Sequence, residues 1–412
     1  MLGNNVATDN ITYSETAQNY YSAFFNSKKF TYPLAFLFIL IPILDILNPF
    51  TIYFLSIEIP RTVFLIIGWS FAFLLLSWFF WQTGHYLFKL FLLLFCVKVL
   101  FHIYYYDQFN FNKDPFIVAL MLIALINNEA LLSTMLKVLN RIKIPLVFLL
   151  VVSIVPFREN IQITALGPER ILGLWNNSKI CSYYFFFSIF ALSDGKLFLK
   201  LIYLMFIILI GSRGVMLAAA VYISMQSFLP IISNKIGKHH KIYYASLISL
   251  IGLLGAILFY TGLISPILNR SYMHLEPLIY EDISNPQYGS GRTYLNQLIL
   301  NEIQEFNLWE WIIGRSQTDM LDFYYTTIGK ATFPHNDFVT ILYTNGLWGL
   351  IIYIYYLFIY PFFNKKSISK LAVLSAILPV LILAATTGFY NFYACYYIVP
   401  YIASRVMLFK IR

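Results

Sequence analysis

Residues 242–264 read IYYASLISLIGLLGAILFYTGLI, twenty-three positions without one charged side chain. As a helix this run is about 34 Å long, enough to cross about 30 Å of hydrocarbon. Apolar runs of this kind recur along the chain. They are predicted near 33–50, 62–81, 86–104, 115–127, 144–156, 180–193, 197–211, 213–229, 242–264, 337–359, 369–387 and 391–408, about twelve in all. Barrel strands would be short and alternating, so these runs point to helices that satisfy their own backbone hydrogen bonds. Composition agrees, with 59% of the 412 residues apolar and 11% charged, against about a quarter charged in soluble domains. The expectation is an all-α integral membrane protein forming one polytopic domain over 1–412.

Lys and Arg placement orients it, because they accumulate in short cytoplasmic loops. Seventeen of the 28 basic residues fall in the two tails and after even-numbered spans, among them Lys28, Lys89, Arg141, Lys238 and Lys366. Ten fall on the opposite side, and Lys98 falls within a span. Both termini are therefore expected in the cytoplasm, with 1–32 as a polar N-terminal tail. That tail lacks the pattern of a removable signal, so the first span is expected to act as its own insertion signal. The net charge of +9 is spread over short loops rather than massed on a face, which speaks against nucleic acid. Cys96, Cys181 and Cys395 lie in apolar runs and do not bear on redox compartment.

Two outer loops stand out, 157–179 and the much larger 265–336 between the ninth and tenth spans. A loop of some seventy residues is more than a connection. Within it, Leu295, Leu298, Ile299, Ile303 and Phe306 recur at helical spacing opposite Asn296, Gln297, Asn301, Glu302 and Glu305. An amphipathic helix is predicted, lying on the outer membrane face or packed on the bundle.

The chain has no D-x-D, Walker A loop, H-E-x-x-H, zinc-spaced cysteine pair or G-x-S-x-G, so no cofactor or metal is expected. What remains is outer-side cations. Arg213 opens a span after Ser212, where free N–H groups and a guanidinium suit a phosphate; the alternative is an arginine anchoring the span at the headgroups. Arg292 follows two glycines in YGSGRTY, as an anion clamp or a solvated loop residue. Arg170 in the other loop is a ligand or a partner of Glu169 or Glu159. His335 follows Pro334 and precedes Asn336, a predicted helix cap, so its imidazole would sit at an outward-facing helix start as a base or an ordinary interfacial residue. Gly346 and Gly349 fall on nearly one face of the tenth span and would let another helix pack close below the histidine.

Together these segments resemble the O-antigen polymerase and O-antigen ligase superfamily. The resemblance rests on SRG at 212–214, GSGR at 289–292, RILGLWNNS at 170–178 and, above all, His335-Asn336 followed after nine residues by Gly346-Leu347-Trp348-Gly349. It covers roughly residues 165–360, and Asn176-Asn177-Ser178 departs from the Asn-Pro-Asn more usual there. It implies a GT-C-like fold and inverting, metal-independent glycosyl transfer on the periplasmic face of a bacterial inner membrane. The donor would be an oligosaccharide on undecaprenyl diphosphate, the acceptor a second glycan in a polymerase or the lipid A core in a ligase. A polymerase is the preferred reading, with a chain-length regulator as an expected partner. By carry-over His335 would act as base and Arg213 and Arg292 would hold the diphosphate. Arg170, Asn336, Arg158 and Arg315 are assigned to substrate binding.

Two other classes compete. A flippase or transporter would use intramembrane charges, for which Asp45, Lys98 and His102 are the candidates, although Lys98 and His102 share a helix face and Asp45 could pair with either. A multi-span transferase with an acidic base in its first outer loop would use Glu58.

Overall fold

The architecture comes from a computed structural model. It describes residues 86–106, 129–152, 161–164, 167–171, 178–191, 197–210, 212–232, 292–329, 332–359, 370–386 and 388, with isolated positions between 32 and 70. Those isolated positions apart, the spans expected near 33–50, 62–81, 115–127, 242–264 and 391–408 lie outside the described residues.

Among the described residues the chain is helical except for one two-stranded ribbon. Its elements are α1 (Tyr86–Tyr106), α2 (Glu129–Val152), β1 (Ile161–Thr164), β2 (Gly167–Ile171), α3 (Ser178–Ala191), α4 (Leu197–Ile210), α5 (Arg213–Ile232), α6 (Arg292–Gln304), α7 (Leu308–Ile313), α8 (Gln317–Ile328), α9 (Asp337–Ile354, continued by a π turn over Tyr355–Ile359) and α10 (Lys370–Thr386). Helices α1, α3, α4, α5 and α10 fall within three residues of expected spans. Helix α2 departs, because EALLSTMLKVLNRIK is rich in strong helix formers and continues the apolar run backward from 144 to Glu129. Lys137 and Arg141, expected in a connecting loop, stand exposed on it. The outer loop 157–179 holds the ribbon, antiparallel with Ile161 opposite Ile171 and Gln162 opposite Arg170.

One group of helices packs around α3, which touches α2, α4 and α5; α5 in turn packs most extensively on α10. Cys181, Tyr183, Tyr184, Phe185, Phe186 and Ile189 of α3 are all at most 1% exposed. A helix apolar all round must be covered all round, and the Phe185 and Phe206 rings stack at 5.0 Å where α3 meets α4. Lys200, near the start of α4, is buried with its ammonium 5.3 Å from the Tyr222 ring centre.

The second group is the cap. Ile299, Ile303 and Phe306 of α6 and its end pack with Met320 and Tyr324 of α8 and Val339 and Tyr343 of α9, with Leu295 and Leu298 at the rim. The predicted stripe is therefore real, and it is spent on protein: α6 packs on the start of α9. Seven buried apolar side chains at about 1.5–3 kcal/mol each outweigh the partly exposed ion pairs beside them, at about 1 kcal/mol or less each.

The tenth span is corrected in its course. Asp337–Ile359 is, among the described residues, the one helix long and apolar enough to cross a membrane by length and composition. It is not straight. Gly346 has φ +62° and ψ −170°, outside the helical region. The Tyr353 hydroxyl donates to Asp337 Oδ2 at 3.1 Å although the two are 16 residues apart, a separation of about 24 Å along a straight helix. The rings of Phe338 and Phe358 lie 6.2 Å apart. The element is a helical hairpin with limbs 337–345 and 347–359, about 13 and 19 Å long, and neither alone covers about 30 Å.

Both glycines of the motif serve that bend. A Cβ on Gly346 would lie 2.4 Å from the Ile312 carbonyl oxygen, and one on Gly314 (φ +83°) would lie 2.4 Å from the amide nitrogens of Asn345 and Gly346. The backbones cross where α7 ends against the bend. Gly349 sits beneath Asn345, whose Cβ would meet any side chain there, with Ile341 Cγ2 at 3.5 Å. The close packing expected below the histidine is thus between two limbs of one element and the cap.

Gly346→Ala and Gly314→Ala should each destabilise by about 3 kcal/mol or more, combining left-handed strain with a backbone clash. Gly329→Ala, at φ +70° with open space around its Cβ position, should cost about 1–2 kcal/mol. Thermal unfolding of the three purified variants checks the order; equal losses would remove the backbone crossing as the cause.

Candidate functional site

His335 stands at the open end of the first limb, half-buried behind the buried Pro334. Its φ is +56°, a left-handed conformation that few residues with side chains adopt. What holds it there comes from α10. Gly388, at φ +62°, returns its N–H to Leu383 O at 3.2 Å and lies so close that a Cβ would be 2.8 Å from His335 Cα and C. Two left-handed residues are thus pressed backbone to backbone.

Asn336 then starts the limb. Its Oδ1 accepts from the amides of Phe338 at 3.0 Å and Val339 at 3.3 Å, capping the helix as its position predicts. That oxygen, assigned to substrate from the sequence, is committed to the helix start.

Along the limb runs a ladder of side-chain hydrogen bonds that sequence reasoning did not find. Thr340 Oγ1 donates to Asn336 O at 2.8 Å, Thr344 Oγ1 to Thr340 O at 2.9 Å, and Asn345 Nδ2 to Thr344 Oγ1 at 2.6 Å. At its foot the buried Lys98 ammonium of α1 donates to Asn345 Oδ1. One turn on, His102 Nε2 lies 3.2 Å from Gly314 O, and a further turn on Tyr106 donates to Glu310 Oε1 at 3.3 Å. Lys98, His102 and Tyr106 therefore form one face of α1 that reads the bend and the end of α7. The shared face of Lys98 and His102 was visible as an i, i+4 pair; Asp45, their expected partner, lies outside the described residues.

Arg315 is placed differently from its sequence assignment. Its Nε donates to Glu310 Oε1 at 2.9 Å, its Nη1 to Glu302 Oε1 at 2.5 Å, and its guanidinium lies 4.5 Å from the Phe306 ring centre. Its amide donates to Tyr343 O at 2.7 Å. Burial opposes its charge, but the bonds to Glu310, Tyr343 and Glu302 prevail and hold its pKa above the ordinary arginine value. Its charge is used inside the cap, as a strut joining α6, α7 and the limb. Burial likewise pushes Glu310 up, and the Arg315 bond, the Asn307 amide and the Arg315 charge more than reverse it, so the carboxyl lies below its ordinary range. Burial raises the Tyr324 phenol, whose hydroxyl donates to Leu295 O at 2.8 Å.

Two of the predicted cations are reached through backbone. Phe306 meets Tyr343 at one end of α6, with ring centres 5.3 Å apart, while Tyr324 bonds Leu295 near the other. Arg292 is the first residue of α6, three residues before the Leu295 carbonyl that α8 holds through Tyr324. Arg213 is the first residue of α5, with the Met216 amide bonded to Ser212 O at 2.9 Å, so Ser212 holds the cap position. Arg170 lies in β2 opposite Gln162. Arg158 and Glu58 lie outside the described residues. Among the described residues no three or more His, Cys, Asp or Glu side chains gather where they could hold a metal ion. No protein-family model matches the chain, and no curated protein matches it.

Because the folded state lowers the Glu310 pKa, its ion pair stabilises above the ordinary carboxylate range, and this stability is lost as pH falls through the folded value. Glu310→Gln should melt below wild type near neutral pH, with the gap narrowing as pH falls below the ordinary carboxylate range and closing below the folded value. Thermal unfolding of both proteins across that range checks the sign; a constant gap at all pH values would assign the loss to packing.

Proposed function

We propose that this chain is a membrane glycosyltransferase that joins a glycan carried on undecaprenyl diphosphate to an acceptor sugar, working at the outer face of a bundle of about twelve apolar segments. The observation that carries it is His335, a half-buried imidazole at the start of the limb, in a strained backbone conformation. Strain of that kind persists only where the surroundings over-determine it. The sequence resemblance to O-antigen polymerases and ligases supports the same residue.

In this reading His335 takes the proton of an acceptor hydroxyl as its oxygen attacks the anomeric carbon. The new carbon–oxygen bond forms on the face opposite the diphosphate, the bond from the anomeric carbon to the diphosphate oxygen breaks, and configuration inverts. Charge grows on the leaving undecaprenyl diphosphate, and Arg213 and Arg292 at helix starts are the groups to receive it. Asn336 Oδ1 serves by capping the limb, Arg315 by bracing it, and Arg170 and Arg158 remain assigned to the glycan. The membrane is a bacterial inner membrane with both termini cytoplasmic, and a chain-length regulator is the expected protein partner.

Purified protein with lipid-linked oligosaccharide should lengthen or transfer glycan unaided. His335→Ala should lower the rate by about 100-fold or more, as loss of a general base does, and Glu58→Ala should leave it largely intact. An inert wild type with intact substrate would sink the proposal. A deletion strain separates the acceptors: one repeat unit on lipopolysaccharide marks a polymerase, and bare core with polymer on the lipid carrier marks a ligase.

A further inference from the structure

Lys98 is 1% exposed in the middle of an apolar helix. A buried ammonium is expensive and is kept where it has partners. One partner of Lys98 is Asn345, the last residue before the bend, which leads on to the Thr344 hydroxyl and the threonine bonds along the limb toward Asn336, the residue after His335. Every donor in that series points the same way, from the ammonium toward the helix start, over about 13 Å.

We infer that Lys98 is a positioning residue for His335, acting through Asn345, Thr344 and Thr340 to fix the limb whose end carries the imidazole. The ladder transmits position: Thr344 and Thr340 each donate to the carbonyl one turn back, two bonds joined through the backbone of Thr340. It does not transmit protons: two of its acceptors are backbone carbonyl oxygens, which cannot pass a proton onward. That separates the role from a proton path, the use an intramembrane lysine would have in a transporter. Arg is the conservative replacement because it retains charge and donors, whereas Met retains only the stem.

Only the activity arm of the test rests on the transferase reading. Full-length wild type, Lys98→Met and Lys98→Arg are placed in lipid nanodiscs and followed by amide hydrogen exchange. In Lys98→Met the amides of 337–345 should exchange about tenfold faster or more, as for loss of a hydrogen bond to a charged group. Those of 299–324 should be unchanged. Lys98→Arg should restore protection. With lipid-linked oligosaccharide, Lys98→Met should lower kcat about tenfold and leave KM within about twofold, again with rescue by Arg. Exchange that rises equally through 299–324, or does not rise in 337–345, overturns the inference. If Lys98→Met does not fold, Thr344→Val cuts the ladder above an intact Lys98 and should give the same local signature; normal protection there overturns it equally. Wild type inert toward substrate would fail the transferase reading alone, with the exchange result still deciding the role of Lys98.

Discussion

The crossing of two backbones at Gly314 and Gly346 is the constraint on which the rest of the cap depends. Each glycine lies where a Cβ on it would be 2.4 Å from the other strand of chain. Each also has a positive φ that side chains rarely tolerate. Because the chains touch there, α7 can end against the bend, its last carbonyls can meet α1, and Arg315 can reach Tyr343 O one residue later. Because Gly346 leaves helical geometry, Tyr353 can reach Asp337 and the two limbs can cover each other. Moving the chains apart by the width of a methyl group would disturb all of these contacts together.

Apolar burial and polar contacts divide the work around that crossing. The α6 stripe on Val339 and Tyr343 supplies most of the attraction, being non-directional and proportional to area. It would tolerate a slide along the limb. The directed contacts do not: Tyr343 donates to Asp319 Oδ2 at 2.7 Å, and Asn307 and Glu310 close a reciprocal cap at the start of α7. Arg315 joins Glu302 and Glu310 across helices. These fix register, and their energy is secondary to that.

How much of this was legible follows from what each feature depends on. Helices α1, α3, α4 and α5 were visible because their sequences are continuous apolar runs, which leave few alternatives to a covered helix. The stripe from Leu295 to Phe306 was visible as periodicity, but not its partner, since burial against lipid and against Val339 select the same residues. Gly346 and Gly349 were visible as small residues; another helix does pack close at Gly346, against Ile312 of α7, whereas Gly349 meets only Asn345 and Ile341 of its own element. The bend itself was missed although Asn345-Gly346 is a turn signal, because the apolar LWGLII that follows reads as continuous helix. Lys98 and His102 were conspicuous as charges in a span. Asn345 and Gly314 were not, being more than two hundred residues away and ordinary where they stand. Arg315 looked like the other outer arginines, and only the folded proximity of Glu302 and Glu310 distinguishes it.

The first limb of α9 is committed on each face. Val339 and Tyr343 face the cap; Asp337, Phe338 and Ile341 face the second limb; Asn336, Thr340 and Thr344 bond along its length. Its lower end is pinned at the crossing and by Lys98. At its upper end the backbone of His335 is itself wedged against Gly388. That contact fixes the backbone from which the imidazole projects. In the proposed transferase, fixing that backbone during folding would leave less positional freedom to lose when the imidazole meets the acceptor hydroxyl. The strain at φ +56° opposes folding and persists because the surroundings over-determine the backbone there.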